Sequence, residues 1–272
     1  MHSLSTQYPE KRALVTGAAS GIGLALSRLL AQQGWRVALA DIHQERLLEA
    51  EKLISNDGGT PVSFILDVSS EAGWLETAQS IQKEWGGLDL LINNAGIPVA
   101  GFFERIPTEE WQKNTDVNYW GAIHGCRAFI PTMKAQGRGH IVNVSACAGI
   151  FSLGAMGPYN VAKAAMIALS ETLHKELYEN GIRVSVVLPT AVKTNISENK
   201  NSVATESPAA ANIAEQLEKT TFTADQAAQV IVKGVSRHKL YIYTRFDGLM
   251  LSLIKRLMPQ TFSGLVRRMF DR

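Results

Sequence analysis

The sequence predicts an α/β fold: a single doubly wound domain in which a seven-stranded parallel sheet carries helices on both faces. Two periodicities and a set of glycines predict it. Seven short apolar runs rich in β-branched residues, at 12–17, 35–40, 62–68, 88–93, 139–145, 183–189 and 240–244, read as strands. Amphipathic stretches at 21–33, 43–56, 70–86, 108–136, 157–180 and 223–237 fill the intervals and read as helices. Strands that are apolar throughout, each followed by a helix, belong to a parallel sheet covered on both sides. Gly34, Gly86, Gly87 and Gly181 fall where a helix must stop before the next strand.

The chain of 272 residues is long enough for one large domain or two small ones. No linker or internal repeat breaks the alternation, so 1–272 reads as one domain. Residues 195–222 are polar, rich in Ala, Ser, Thr and Asn, and read as a mobile insertion after the sixth strand. A net charge of +2 gives no reason to expect a nucleic-acid partner. The charge is unevenly placed. Residues 245–272 hold Arg245, Lys255, Arg256, Arg267, Arg268 and Arg272 against Asp247 and Asp271, a local +4 that leaves the rest at −2. Two cysteines cannot build a disulfide framework, and six histidines form no HExxH or paired cluster, so no metal site is expected. The polar N-terminus lacks a signal-peptide core, and no apolar run spans a bilayer, so a cytoplasmic setting is expected.

The first strand runs into Thr16-Gly17-Ala18-Ala19-Ser20-Gly21-Ile22-Gly23 and then an apolar helix. Glycines there let the backbone turn and approach a pyrophosphate, and the helix N-terminus offers unpaired N–H groups and a positive dipole end. The strand-to-helix context is what makes Gly17, Ser20, Gly21, Ile22 and Gly23 a dinucleotide site rather than a turn. Asp41 ends the second strand, where a carboxylate can accept from ribose hydroxyls and would repel a 2′-phosphate. This favours NAD(H) over NADP(H), the alternative being a helix cap for 42–56. Asp67 and Val68 end the third strand, and Asn94, Ala95 and Gly96 follow the fourth. Such strand ends line the ligand crevice of a doubly wound sheet.

Tyr159 and Lys163 are spaced i, i+4 and share one helix face. A phenol with pKa near 10 is a poor acid or base at neutral pH. A nearby ammonium would favour the phenolate and bring that pKa toward the working range.

Over 10–245 the chain resembles the short-chain dehydrogenase/reductase family. The matching pieces are TGAASGIG at 16–23, Asp41, Asp67-Val68, NNAG at 93–96, VN at 117–118, IVNVS at 141–145, YNVAK at 159–163 and LPTAVKT at 188–194. The resemblance implies a Rossmann-type sheet, assembly as a homodimer or homotetramer, and an Asn-Ser-Tyr-Lys catalytic set. It implies Tyr159 as general acid/base, Lys163 as the residue that binds the nicotinamide ribose and polarises Tyr159, and Asn118 as holder of a relay water. Val192 and Thr194 match positions that bind the carboxamide. The serine departs from the pattern: the family position is Ala146, and Ser145 lies one residue earlier. Either the loop is shifted by one and Ser145 is the catalytic serine, or the donor is absent, since neighbours on a strand face opposite ways. Thr190 stands where a glycine commonly follows the proline.

The family's substrate pocket points to Ile97, Pro98, Phe102, Phe103, Ile150, Phe151, Leu153, Met156 and Thr190. Most are apolar, with no evident cation for a carboxylate, so a hydrophobic secondary alcohol or ketone is the expected substrate. Competing readings are an NADPH-dependent carbonyl reductase and a nucleotide-binding sensor or scaffold that lost turnover with the serine. Residues 245–272 form a basic amphipathic appendix. Leu249, Met250, Leu253, Ile254, Leu257 and Met258 make a helical apolar face before Pro259, and a second such pattern follows it. These helices could lie on an anionic membrane, cover the substrate mouth or meet a neighbouring subunit.

Overall fold

The computed structural model describes residues 4–193 and 219–270, with side chains described as far as Gly264. Seven strands form one sheet in the order β3-β2-β1-β4-β5-β6-β7. They are β1 (Arg12–Thr16), β2 (Arg36–Asp41), β3 (Pro61–Ile65), β4 (Leu90–Asn93), β5 (Gly139–Val144), β6 (Ile182–Leu188) and β7 (Tyr241–Tyr243). Every pairing is parallel. The strand order reverses between β1 and β4, which opens a crevice above their carboxyl ends.

After α1 (Leu4–Gln7), helices α2 (Gly21–Gln32), α3 (Gln44–Asn56), α4 (Glu71–Trp85), α5 (Thr108–Thr115), α6 (Gly121–Gln136), α7 (Ala148–Phe151), α8 (Gly157–Leu177) and α9 (Ala224–Val235) connect the strands. The chain ends in α10 (Phe246–Leu257) and α11 (Pro259–Phe270). Along the strands successive side chains enter opposite cores. Val15, Val37 and Leu39 pack with Leu26, Leu30 and Ile231 on one face. Leu14, Ala38 and Leu91 pack with Trp74, Phe129 and Met133 on the other. The helix-stop glycines hold: Gly34, Gly86 and Gly181 all have φ between +71° and +79°, where other residues are strained.

Two expectations need correction. The helix expected over 108–136 is interrupted by a π-helical segment, Asp116–Trp120, between α5 and α6. The third strand stops at Ile65 rather than 68, because Leu66 gives its N–H to Asp41 O and the chain then turns toward α4.

Candidate active site

A cavity of about 1620 Å³ lies over the carboxyl ends of the strands. Gly17, Ser20, Gly21 and Ile22 form its nucleotide-side floor. Gly17 and Gly21 have φ of +62° and +52°. A Cβ on Gly23 would come within 2.1 Å of Gly17 O, so only glycine lets α2 seat directly beneath the loop. Ser20 begins α2 without a side-chain cap, and the first turn holds no acidic residue. The helix therefore offers its first N–H groups and positive end to the cavity without a competing anion. This cradle fits a dinucleotide pyrophosphate.

Asp41 lines the same cavity but does not cap α3, whose N-cap is His43. Its Oδ2 accepts from Ala19 N at 3.1 Å and its Oδ1 from His43 N at 3.0 Å. The carboxylate thus ties the end of β2 to the glycine loop while keeping its charge at the cavity wall. Asp67 and Val68 line the wall beside it, with Asp67 Oδ1 accepting from Ser69 N and Ser69 Oγ. Asn94 donates to Thr16 O at 2.8 Å, while Thr16 Oγ1 accepts from Asn94 N and Ala95 N at 3.0 Å. These bonds lock β1 to β4 at the switch point. A Cβ on Gly96 would lie 2.5 Å from Asn118 Oδ1 and 3.3 Å from Lys163 Nζ, so this glycine lets the two groups close over the chain.

Tyr159 stands in the first turn of α8, where Pro158 suits a position whose N–H has no helical partner. Its hydroxyl faces the cavity and has no protein partner among the described residues. Lys163 is buried, donates to Val144 O at 3.0 Å, and holds Nζ 5.6 Å from the Tyr159 ring centre. Burial lowers the lysine pKa to about 8. Burial also pushes the Tyr159 phenol up to about 12, with Cys147 adding to the rise. The expected fall in the phenol pKa is not seen in the protein alone, because burial penalises the phenolate.

Asn118 sits buried in the π-helical segment. Its amide donates to Ile97 O at 2.9 Å and Asn114 O at 3.1 Å, and its Oδ1 accepts from Ile97 N at 3.1 Å. The side chain is fully engaged in holding the 97 loop against the helix.

Ser145 departs from its expected place. Its hydroxyl donates to Lys163 O at 2.6 Å, in the backbone of α8, and the residue is buried. Ser145 and Ala146 both line the cavity, but the Ser145 hydroxyl is spent on the α8 backbone and the neighbouring position in the cavity wall carries only a methyl group. Thr190 lines the cavity next to this loop, linked through the Cys147 N to Pro189 O bond of 2.8 Å. Val192 also lines it, whereas Thr194 and most of the expected insertion at 195–222 lie outside the described residues.

Of the expected substrate residues, Ile97, Pro98, Phe151, Leu153 and Met156 line the cavity with Thr190. Phe102 and Phe103 do not; both are exposed, and Phe103 stacks edge-on against Trp111. Ile150 packs instead on the cluster formed by Cys147, Phe151 and Phe262. The sequence reading missed Cys147, Arg245, Asp247 and Leu251, which complete the wall from the C-terminal side. Besides Lys163, the cations Arg46, Lys113, Lys219 and Arg245 line the cavity, and Arg245 pairs with Asp247 at 2.8 Å. No sequence signal marked that pair as cavity-facing.

The sequence model of the family described as short chain dehydrogenase matches residues 11–205. The chain belongs to this family. It is 33% identical to 1-deoxy-11-beta-hydroxypentalenate dehydrogenase of Streptomyces avermitilis, over 87% of this chain and 85% of that protein. It is equally 33% identical to 2,5-dichloro-2,5-cyclohexadiene-1,4-diol dehydrogenase LinX of Sphingobium indicum, over 72% of this chain and 78% of the relative. A short-chain dehydrogenase/reductase from Burkholderia phymatum, solved in complex with NAD, superposes with a TM-score of 0.85 at 29% identity. That match covers 92% of this chain and 94% of the other. This short-chain dehydrogenase is therefore a nicotinamide-dependent oxidoreductase acting on alcohols or ketones. Among its described residues, no helix is long and apolar enough to cross a membrane.

Proposed function

We propose that the protein interconverts a hydrophobic secondary alcohol and its ketone with NAD(H). The observation that carries this reading is the unpartnered Tyr159 hydroxyl, set in an apolar wall and backed by Lys163. When bound, the nicotinamide ring takes up or supplies the hydride at the substrate carbon. Tyr159 Oη handles the proton at the substrate oxygen, accepting it as the alcohol is oxidised and giving it back as the ketone is reduced. The raised phenol pKa favours the protonated form, which suits proton donation in the reducing direction. Lys163 would hold the nicotinamide ribose and stabilise the phenolate, and Asn118 fixes the 97 loop and the relay path behind Lys163. Val192, at the cavity wall, would hold the carboxamide. Ser145 has a supporting place under α8, and substrate polarisation falls to Tyr159 without the family hydroxyl.

The preference for NAD(H) rests on Asp41, whose charge opposes a 2′-phosphate. Assembly as a homodimer or homotetramer is part of the proposal, and the open edge strand β7 supports it. A cytoplasmic location fits two free, buried cysteines. A panel of hydrophobic secondary alcohols and ketones, followed at the nicotinamide absorbance with both cofactors, tests the reading. Turnover with NAD(H), at an affinity at least about tenfold above that for NADP(H), is expected. Turnover of none of them, or equal affinity, would overturn it.

A further inference from the structure

Helix α10 turns its most apolar face away from the protein. Phe246, Met250, Leu253 and Leu257 follow one another at intervals of four, three and four residues, so they form a single stripe. Their exposures are 74%, 38%, 43% and 79%. Met258, also exposed, extends the apolar surface to the break before Pro259. The inner side of the helix is occupied otherwise. Gly248 lies where a Cβ would come within 2.8 Å of Cys147 Sγ and 2.9 Å of Thr190 Cγ2. Leu251 and Ile254 pack on the Phe151–Phe262 cluster, and the Lys255 ammonium donates to Ile150 O. Among the described residues nothing covers the stripe. A contiguous exposed apolar surface on a helix that is otherwise well seated marks a contact site.

Charge selects the occupant. Residues 245–272 carry a net +4 on a chain whose remainder is −2, and Arg256 is exposed beside the stripe. A second copy docked through this stripe in a two-fold contact would bring two such basic segments together. An anionic lipid surface meets both the apolar stripe and the positive charge. A 12-residue helix is too short to span a bilayer, so it must lie in the interface.

We propose that α10 and the basic tail dock this protein on the surface of an anionic membrane, with Phe246, Met250, Leu253 and Leu257 entering the headgroup boundary. Because Asp247 and Leu251 of the same helix wall the cavity, docking sets the substrate side next to the lipid. That last link rests on the hydrophobic-substrate reading; the docking itself does not.

The test is flotation of the full chain with vesicles of phosphatidylcholine containing phosphatidylglycerol, and with vesicles of phosphatidylcholine alone. The protein should float with the anionic vesicles and far less with the neutral ones, and added salt should weaken the binding. Phe246→Ser combined with Leu257→Ser should lower the partition by at least about tenfold, since each side chain is exposed in the folded protein and buries apolar area only in the lipid. NADH binding by the double variant shows that it is folded, independently of turnover. Absence of binding to anionic vesicles, or equal binding by the double variant, overturns the proposal. So does a change from dimer to monomer in the double variant, by light scattering, with vesicle binding unaltered, because a second copy would then be the partner of the stripe.

Discussion

Replacing Ala146 by Ser and, separately, Ser145 by Ala should affect catalysis in opposite ways. The residue at 146 lines the cavity beside the loop that carries Thr190, so a hydroxyl there reaches the space in which Tyr159 meets the substrate. One preorganised donor on a developing oxyanion is worth about 10²–10³ in turnover, and Ala146→Ser should raise kcat by up to that amount. Ser145→Ala removes a buried hydroxyl whose donor is bound to Lys163 O at 2.6 Å. That bond is structural, and its loss amounts to roughly 1 kcal/mol, or about 2–4 °C in Tm for a chain of this size. Turnover should stay within about threefold of the parent. The assay is kcat on the best substrate of the panel, with thermal denaturation alongside. If Ser145→Ala falls by 10² or more while Ala146→Ser is neutral, the orientation argued for this loop is wrong.

Three further outcomes follow from the same geometry. Asp41→Asn should narrow the preference for NAD(H) by removing the charge that opposes a 2′-phosphate. It should also weaken NADH binding, since one amide oxygen cannot serve both Ala19 N and His43 N; titration with both cofactors checks it. His140 is fully buried against Tyr8, Ser185 and His238, and burial lowers its pKa to about 3. The unfolded chain takes up this proton near pH 6.5 and the folded chain only near 3, so stability should fall as pH drops through that window. The fall should reach about 5 kcal/mol at most, and denaturant titrations of the parent and of His140→Gln would show whether the acid slope belongs to this residue. Above about pH 8 Lys163 loses its charge in the folded protein, so the affinity for NADH should drop as pH rises through that value. An affinity flat from pH 7 to 9 would count against a role for the ammonium.

Much of the fold was legible because its signals are local. Continuous apolar runs marked seven strands, and Gly34, Gly86 and Gly181 marked helix ends that require a left-handed residue. The glycine loop, Asp41 and the Tyr159–Lys163 spacing could be read for the same reason: each is a short pattern in a strand-to-helix or helical context. What escaped was orientation. Phe102 and Phe103 are apolar like true pocket residues, yet both sit outside it, and residue type alone does not state which way a loop faces. The break at Asp116–Trp120 adds one residue to a turn and leaves no compositional trace. In the tail the helical period was plain, but the apolar face looks outward because Gly248, Leu251 and Lys255 make the inner contacts. A near-neighbour pair such as Arg245 with Asp247 at the cavity wall carries no spacing that separates it from an ordinary surface pair.

The most direct test of the account is Tyr159→Phe. The substitution removes one oxygen that has no partner among the described residues, so folding and NADH binding, followed by fluorescence, should be unchanged. Proton transfer would then lack its group, and kcat should fall by at least about 10³. Turnover retained above a few per cent of the parent would contradict the assignment of Tyr159 as the acid and base of this site.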